Sequence, residues 1–294
     1  MAIAIRPLHP SFAAEVTGVD LRRPLDDATV AAIRAAFNDR AVLAFPGQPL
    51  TDDQQIAFSL RFGPLEKTIT SAMGGTAVIS NLSNTDAEGR LYQADDARAL
   101  FLSGNQRWHS DSSFKVVPAM ASLLSAREVP PEGGETEYAD MRAAYDALNA
   151  ATRRRLEGLE AEHSYGYSQG QISLAALTEG EMAALPPVRH PVVRSHNETG
   201  RKVLYIGRHA SHIVGLAVEE GRALLDDLLA HGTQDRFVYR HRWRVGDLVM
   251  WDNRAVLHRG RPWDQTKYAR IMHRTTVAGE AASNPWRIEA AAAV

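Results

Sequence analysis

Apolar residues recur at helical spacing after Asp26 and Asp27, either of which can cap a helix that lines up Val30, Ile33 and Phe37. Ahead of it, Val16-Thr-Gly-Val-Asp-Leu21 reads as a strand and turn. Behind it, Ala41–Phe45 reads as a short buried strand stopped by Pro46-Gly47. Thr51-Asp-Asp-Gln54 has capping-box spacing and opens a helix through Ile56 and Leu60 that ends near Gly63-Pro64. Residues 119–129 are strand-like and run into the turn Pro130-Pro-Glu-Gly-Gly134. Helical patterns return at 140–149, 150–160 and 217–231. The last carries Leu224, Leu225, Leu228 and Leu229 on one side, with Gly232 expected just past its end. Lys202–Ile206, Phe237–Trp243, Leu248–Trp251 and Arg270–Val277 read as strands. Two stretches lack clear periodicity, 65–105 and 164–187; in the first only Ala77-Val-Ile-Ser80 looks like a strand. A segment as long as 65–105 is the length of a lid or functional loop. The Ala-rich tail at 289–294 is expected to fray.

No repeat, linker or break in composition divides the 294 residues, which predicts one domain over 1–294 with a β core and helices outside. Lys plus Arg (33) nearly balances Asp plus Glu (35), for a net charge of -2, so no charge excess points to nucleic acid or a membrane surface. The apolar runs are too short to cross a bilayer, and MAIAIRPLHP lacks the features of a secretory signal. The chain contains no cysteine. Disulfides, thiolate metal sites and cysteine nucleophiles are therefore excluded, a cytoplasmic location is expected, and any metal must be held by His, Asp or Glu.

Trp108-His-Ser-Asp111 is the first candidate site. On an extended chain a His-x-Asp pair puts both side chains on one face, where an imidazole nitrogen and a carboxylate oxygen can reach one cation. Eleven His and 18 Asp supply about 0.7 such pairs by chance, so a third ligand is needed. His258, after the apolar strand at 248–251 and a turn, offers one. Two His and a carboxylate form the facial triad of non-haem Fe(II) oxygenases, and zinc can use the same donors. On the strand at 270–277, Arg270, Met272, Arg274 and Thr276 share a face. Two arginines there are costly to bury unless each meets an anion; on an edge strand the same face would be solvated. Their separation of roughly 13 Å suits two carboxylates, each held by a planar guanidinium fork.

These residues resemble the taurine dioxygenase/2,4-dichlorophenoxyacetate dioxygenase family of Fe(II)- and 2-oxoglutarate-dependent oxygenases. The family pattern of His-x-Asp, Thr, distant His and Arg falls on His109, Asp111, Thr136, His258 and Arg270. Twenty-four residues separate Asp111 from Thr136 and eleven separate His258 from Arg270. The similarity also takes in Arg61-Phe-Gly-Pro64, Pro130-Pro-Glu-Gly-Gly-Glu-Thr136, Arg142-Ala-Ala-Tyr-Asp-Ala-Leu148, Trp251-Asp-Asn-Arg254 and Arg270-Ile-Met-His-Arg274, nearly the whole length. The resemblance implies an α+β fold with a double-stranded β-helix (jelly roll) core and flanking helices. It implies Fe(II) on His109, Asp111 and His258, and 2-oxoglutarate held by Thr136 and Arg270. Asn105 would lie at the junction of cosubstrate and substrate, and Arg274 would grip the substrate's anionic end. The iron centre would carry the O2 chemistry with no separate acid or base, giving succinate and CO2.

Gly207-Arg-His-Ala-Ser-His212 and Trp108-His-Ser-Asp-Ser-Ser-Phe114 resemble the phenoxyalkanoate branch, whose members hydroxylate the carbon beside an ether oxygen and so release a phenol and an oxo acid. Arg208, His209 and Ser112 are then further substrate contacts, or else a polar surface loop. A sulfonate oxygenase of the same family is an alternative, as are a zinc hydrolase on the same triad and a non-catalytic anion-binding module. The expected partner is a small anionic organic substrate, in a homo-oligomer. Of the remaining histidines, His9, His190 and His231 read as solvent-facing, and His163, His196, His241 and His273 as hydrogen-bonded structural residues. Trp108 and Trp251 read as core filler.

Overall fold

A computed structural model describes residues 3–67, 78–93, 96–172 and 185–280. The chain opens with β1 (Ala4–Pro7), β2 (Ala14–Thr17), α1 (Asp27–Arg40), β3 (Val42–Phe45) and α2 (Asp52–Leu60). β4 (Ser80–Ser83) and α3 (Ala97–Ser103) precede the long β5 (Ala121–Glu128), then β6 (Thr136–Asp140), α4 (Met141–Asp146) and α5 (Ala150–Leu156). Next come β7 (Glu160–His163), α6 (Tyr165–Gly170), β8 (Val188–Pro191), β9 (Val193–Ser195), β10 (Lys202–Leu204) and β11 (Ala210–Ile213). After α7 (Val218–Gly232) the chain ends in β12 (Val238–His241), β13 (Leu248–Asp252), β14 (Val256–Gly260) and β15 (Ile271–Val277). The class is mixed α+β. No helix among the described residues is long and apolar enough to cross a membrane.

The largest sheet has seven strands in the order β1-β2-β3-β13-β5-β15-β4, and only β2 and β3 run parallel within it. A three-stranded sheet, β12-β6-β14, packs on it: Tyr138 and Val256 meet Leu124, Trp251 and Met272 in one buried cluster. On the far face of the large sheet, Ile33 and Phe37 of α1 and Phe58 of α2 cover Leu43, Leu123 and Met250. A third cluster joins α7, through Leu224, Leu225 and Leu228, to Ile213 and Val203. Central strands buried on both faces read as continuous apolar runs, and Leu248–Trp251 is one.

Local signals for the helices hold. Asp26 caps α1 by accepting from the Thr29 amide, and Thr51 and Gln54 form a reciprocal capping box on α2. Gly232 departs from expectation. It is the last residue of α7 and Thr233 is the cap, and a Cβ at Gly232 would stand 2.9 Å from Met141 Cε. Its smallness serves packing of α7 on α4, not a left-handed turn. The strand expected at 77–80 runs over Ser80–Ser83 instead, and residue 77 lies outside the described residues. So do 68–77 and 94–95 of the long stretch, 173–184 of the second one, and the Ala-rich tail. β6 and β14, five residues each, escape periodicity because each is framed by turns and reads as part of its neighbours.

Candidate metal centre and cosubstrate cavity

The two histidines meet through the backbone. His109 and His258 form an isolated antiparallel bridge, with the His109 amide donating to the His258 carbonyl at 3.0 Å and the reverse bond at 2.8 Å. Gly207 lets the chain pass close to this segment: a Cβ there would stand 3.2 Å from the Trp108 carbonyl oxygen. Asp111 follows two residues on, its backbone N–H donating to Asn253 Oδ1 at 3.1 Å. The result is a buried cluster in which one nitrogen or oxygen from each of His109, Asp111 and His258 lies within 4.8 Å of the others.

Two of the three donors are oriented by hydrogen bonds, whereas His258 Nδ1 is buried without a partner among the described residues. His109 Nδ1 donates to the Arg107 carbonyl at 2.7 Å, which leaves Nε2 for the cluster as an acceptor. Ser122 donates to Asp111 Oδ2 at 2.7 Å, and Asn253 Nδ2 in turn donates to Ser122. Arg274 donates to Asp111 Oδ1 at 2.6 Å. A carboxylate has about four acceptor positions, so both oxygens keep room for a cation. Burial holds His109 well below the ordinary imidazole range, and burial also brings His258 down to about 4 against the opposing pull of Asp111. Burial would raise Asp111, but Arg274 and the two histidines hold it well below the usual carboxylate range. Two neutral imidazoles and an ionised carboxylate are the forms in which these groups bind a metal, so the donor set fits a divalent ion.

A cavity opens beside the cluster, lined by His109, His258, Trp251, Asn105, Thr136, Arg270 and Arg274 among others. Thr136 and Arg270 both line it, Thr136 from the end of the 130–136 turn and Arg270 from just ahead of β15. Gly133 and Gly134 adopt φ of +75° and +68°, and a Cβ on Gly134 would press on Arg270 Cδ at 3.1 Å. Arg270 Nε donates to the Gly134 carbonyl at 3.0 Å, and no carboxylate pairs with this guanidinium among the described residues. Burial pushes it down to about 10. A desolvated cation on a cavity wall without an anion is poised to receive one.

A family model for the taurine catabolism dioxygenase TauD, TfdA family matches residues 4–276. The chain belongs to the TauD/TfdA dioxygenase family. An α-ketoglutarate-dependent 2,4-dichlorophenoxyacetate dioxygenase from Cupriavidus pinatubonensis is 48% identical over 282 residues, 94% of this chain and 98% of that protein. An (S)-phenoxypropionate/α-ketoglutarate dioxygenase from Sphingobium herbicidovorans is 43% identical, covering 96% and 97% of the two chains. The crystal structure of AAD-2 with Mn(II) and N-oxalylglycine matches with a TM-score of 0.88 at 46% identity, over 95% of this chain and 98% of that one.

In this TauD/TfdA chain, His109, Asp111, His258, Thr136, Arg270, Arg274 and Asn105 come together. Ser112, Arg208 and His209 do not line that cavity. Ser112, at φ +57°, donates to Glu66, which also takes Lys115 Nζ at 2.6 Å. His209 is buried with Nδ1 on the Ser168 hydroxyl at 2.8 Å, its ring 6.3 Å from that of His109. Arg208 faces a neighbouring cavity. β15 lies between β5 and β4, not at a sheet edge, so the solvated reading of its arginines falls. His163, His196, His241 and His273 all have hydrogen-bond partners, as expected. His190 overturns its expectation: it is fully buried, because β8 pairs with β7 and its ring packs edge-on to Tyr205. His9 and His231 are half-buried. Trp251 is core and cavity wall at once, and Trp108 is buried under the Arg259 guanidinium, 4.6 Å from its ring. Sequence reasoning missed Ser122, Asn253, Trp243 and Trp263; of these only Asn253, inside Trp251-Asp-Asn-Arg254, stood in a singled-out motif.

Proposed function

We propose that this single-domain chain is an Fe(II)- and 2-oxoglutarate-dependent dioxygenase that oxidises a small aryloxyalkanoate, such as a phenoxyacetate or phenoxypropionate, at the carbon bearing the ether oxygen. The observation that carries the reading is the adjacency of the buried His109, Asp111 and His258 donors to a cavity wall bearing Arg270, which has no carboxylate partner among the described residues. The relatives' substrates and the coverage of 4–276 support it, as does a seven-stranded sheet facing β12-β6-β14, the arrangement a double-stranded β-helix requires.

His109, Asp111 and His258 would hold the metal. When bound, Fe(II) supplies the reduction of O2, which is coupled to conversion of 2-oxoglutarate to succinate and CO2 and to insertion of one oxygen atom into a C–H bond. Arg270 offers its fork, and Thr136 a hydroxyl, to the cosubstrate's far carboxylate. Asn105 lines the wall between cosubstrate and substrate. Arg274 offers its remaining N–H groups to the substrate's carboxylate, which fixes which carbon faces the metal. The hydroxylated product is a hemiacetal, which collapses to a phenol and a small oxo acid.

The test is anaerobically prepared protein given phenoxyacetate, (R)- and (S)-phenoxypropionate, or taurine. Succinate and phenol should form together, only with Fe(II), 2-oxoglutarate and O2 all present. Sulfite from taurine without phenol from the aryloxy acids would move the chain to the sulfonate branch. Hydrolytic activity restored by Zn(II) in place of Fe(II) would overturn the reading.

A further inference from the structure

Beside the cavity at the triad lies a larger one, of about 340 Å³ against about 60 Å³, and Gln106 lines both. Its walls include Tyr167, Leu225, Leu229 and three arginines, Arg107, Arg208 and Arg259. Two of these are engaged elsewhere: Arg107 donates to Gln171, and Arg259 Nε to Glu137 Oε2 at 2.7 Å. Arg208 is not. Its Nε–H is buried without an acceptor, and no carboxylate pairs with it among the described residues. Burial pushes the guanidinium down to about 10.

Room for this cation depends on a glycine. A Cβ at Gly104 would stand 2.4 Å from Arg208 Nη1 and 2.4 Å from Ile172 Cδ1. The Arg208 backbone is fixed as well, its N–H donating to the Trp108 carbonyl at 2.9 Å. Asp226 is the one carboxylate among the lining residues; it is exposed and forms no ion pair with Arg208 among the described residues. A desolvated, unpaired guanidinium beside apolar walls is the arrangement that an anion with an apolar body completes.

We propose that this cavity is a second binding site for an aromatic carboxylate, distinct from the site of oxidation. Arg208 takes the carboxylate, and Tyr167, Leu225 and Leu229 take the ring. The choice of ligand rests on the function proposed above; the site itself rests on Arg208, Gly104 and the cavity.

The probe is phenoxyacetate, titrated calorimetrically into the full chain loaded with Mn(II) and N-oxalylglycine. Two molecules should bind per chain. Arg208→Gln should weaken one of them by more than about tenfold, whereas Arg208→Lys, which keeps the charge, should retain both. Gly104→Ala, which displaces the guanidinium without removing it, should act like Arg208→Gln and stands in for it if that variant does not fold. A single bound molecule whose affinity is unchanged in Arg208→Gln, or two that survive both Arg208→Gln and Gly104→Ala, overturns the proposal. Succinate release by the Fe(II) enzyme separates the two readings. Arg208-dependent binding without phenoxyacetate-dependent succinate leaves this site standing and removes the proposed function; succinate with a single bound molecule whose affinity is unchanged in Arg208→Gln does the reverse.

Discussion

Arg274 donates from Nη1 to Asp111 Oδ1 at 2.6 Å, and both side chains are largely buried. The guanidinium that faces the cavity is thus also the counter-cation of the carboxylate in the metal cluster. A metal ion held by Asp111 would bring positive charge to it and lessen its need for Arg274, which would leave the fork free to turn to an anionic substrate. Replacing Arg274 with Gln should lower kcat/KM for phenoxyacetate by about 100-fold, the loss of a charge-assisted contact worth about 3 kcal/mol. The dissociation constant of 2-oxoglutarate, measured calorimetrically on the Mn(II) protein, should move less than about threefold. Equal losses for the two ligands would remove Arg274 from the substrate's end.

Asp111 itself is the only anionic donor of the triad. Asp111→Ala should reduce Mn(II) affinity by more than about 100-fold in equilibrium dialysis, with 2-oxoglutarate-dependent turnover lost alongside, since even outer groups around a metal carry about 10–100-fold each. Full turnover in this variant would refute the ligand assignment.

Trp243 Nε1 donates to Thr136 Oγ1 at 3.0 Å. An indole N–H only donates, so the threonine oxygen is the acceptor and its proton is left for an acceptor in the cavity, beside Arg270. Trp243→Phe keeps the ring and removes the donor. It should raise the 2-oxoglutarate dissociation constant by about 3–10-fold, the worth of about one hydrogen bond, with kcat unchanged. Thr136→Val should do at least as much, and the double variant should be no worse than Thr136→Val alone. Additive losses would mean that Trp243 acts by packing instead of through the hydroxyl.

The sequence carried the parts of the site that local geometry dictates. His109 and Asp111 share a face because they are two residues apart. Arg270 and Arg274 both reach the cavity although the β15–β5 register shifts between Ile271 and Met272. Ser122 and Trp243 were invisible because pairing between distant strands delivers them: β13 sets Trp251 opposite Ser122, and β12 sets His241 opposite Thr136. His190 fails for the same reason. Beside Pro191 it looks like an exposed element end, yet β7 and Tyr205 bury it. Apolar periodicity located α1, α2 and α7, but short strands such as β6 and β14 carry too few residues to show a period, and their existence depends on neighbours supplied by the fold.

Asp252, fully buried at the end of β13, makes the fold's acid sensitivity testable. It accepts from Arg254 Nη2 at 2.8 Å and contacts His196 Nε2 at 2.9 Å, and its own backbone N–H donates to the Ala41 carbonyl. The next residue, Asn253, holds the Asp111 amide, so this turn links the core to the metal cluster. Burial alone would raise the Asp252 carboxyl, but Arg254 and His196 hold it well below its ordinary value of 3.8. A carboxyl depressed in the folded state contributes stability that is present above the unfolded value and is lost as pH falls below it toward the folded one. Urea unfolding of the wild type should therefore show stability falling steeply below about pH 4. Asp252→Asn should cost about 3–5 kcal/mol at pH 7, because Arg254 and His196 lose their buried anion. That deficit should shrink as pH falls below 4, since the wild type's unfolded chain then takes up a proton that its folded state resists, a loss the variant does not share. A deficit that stays constant from pH 7 to pH 3 would show that the acid limb belongs to other carboxylates and that Asp252 matters only for shape.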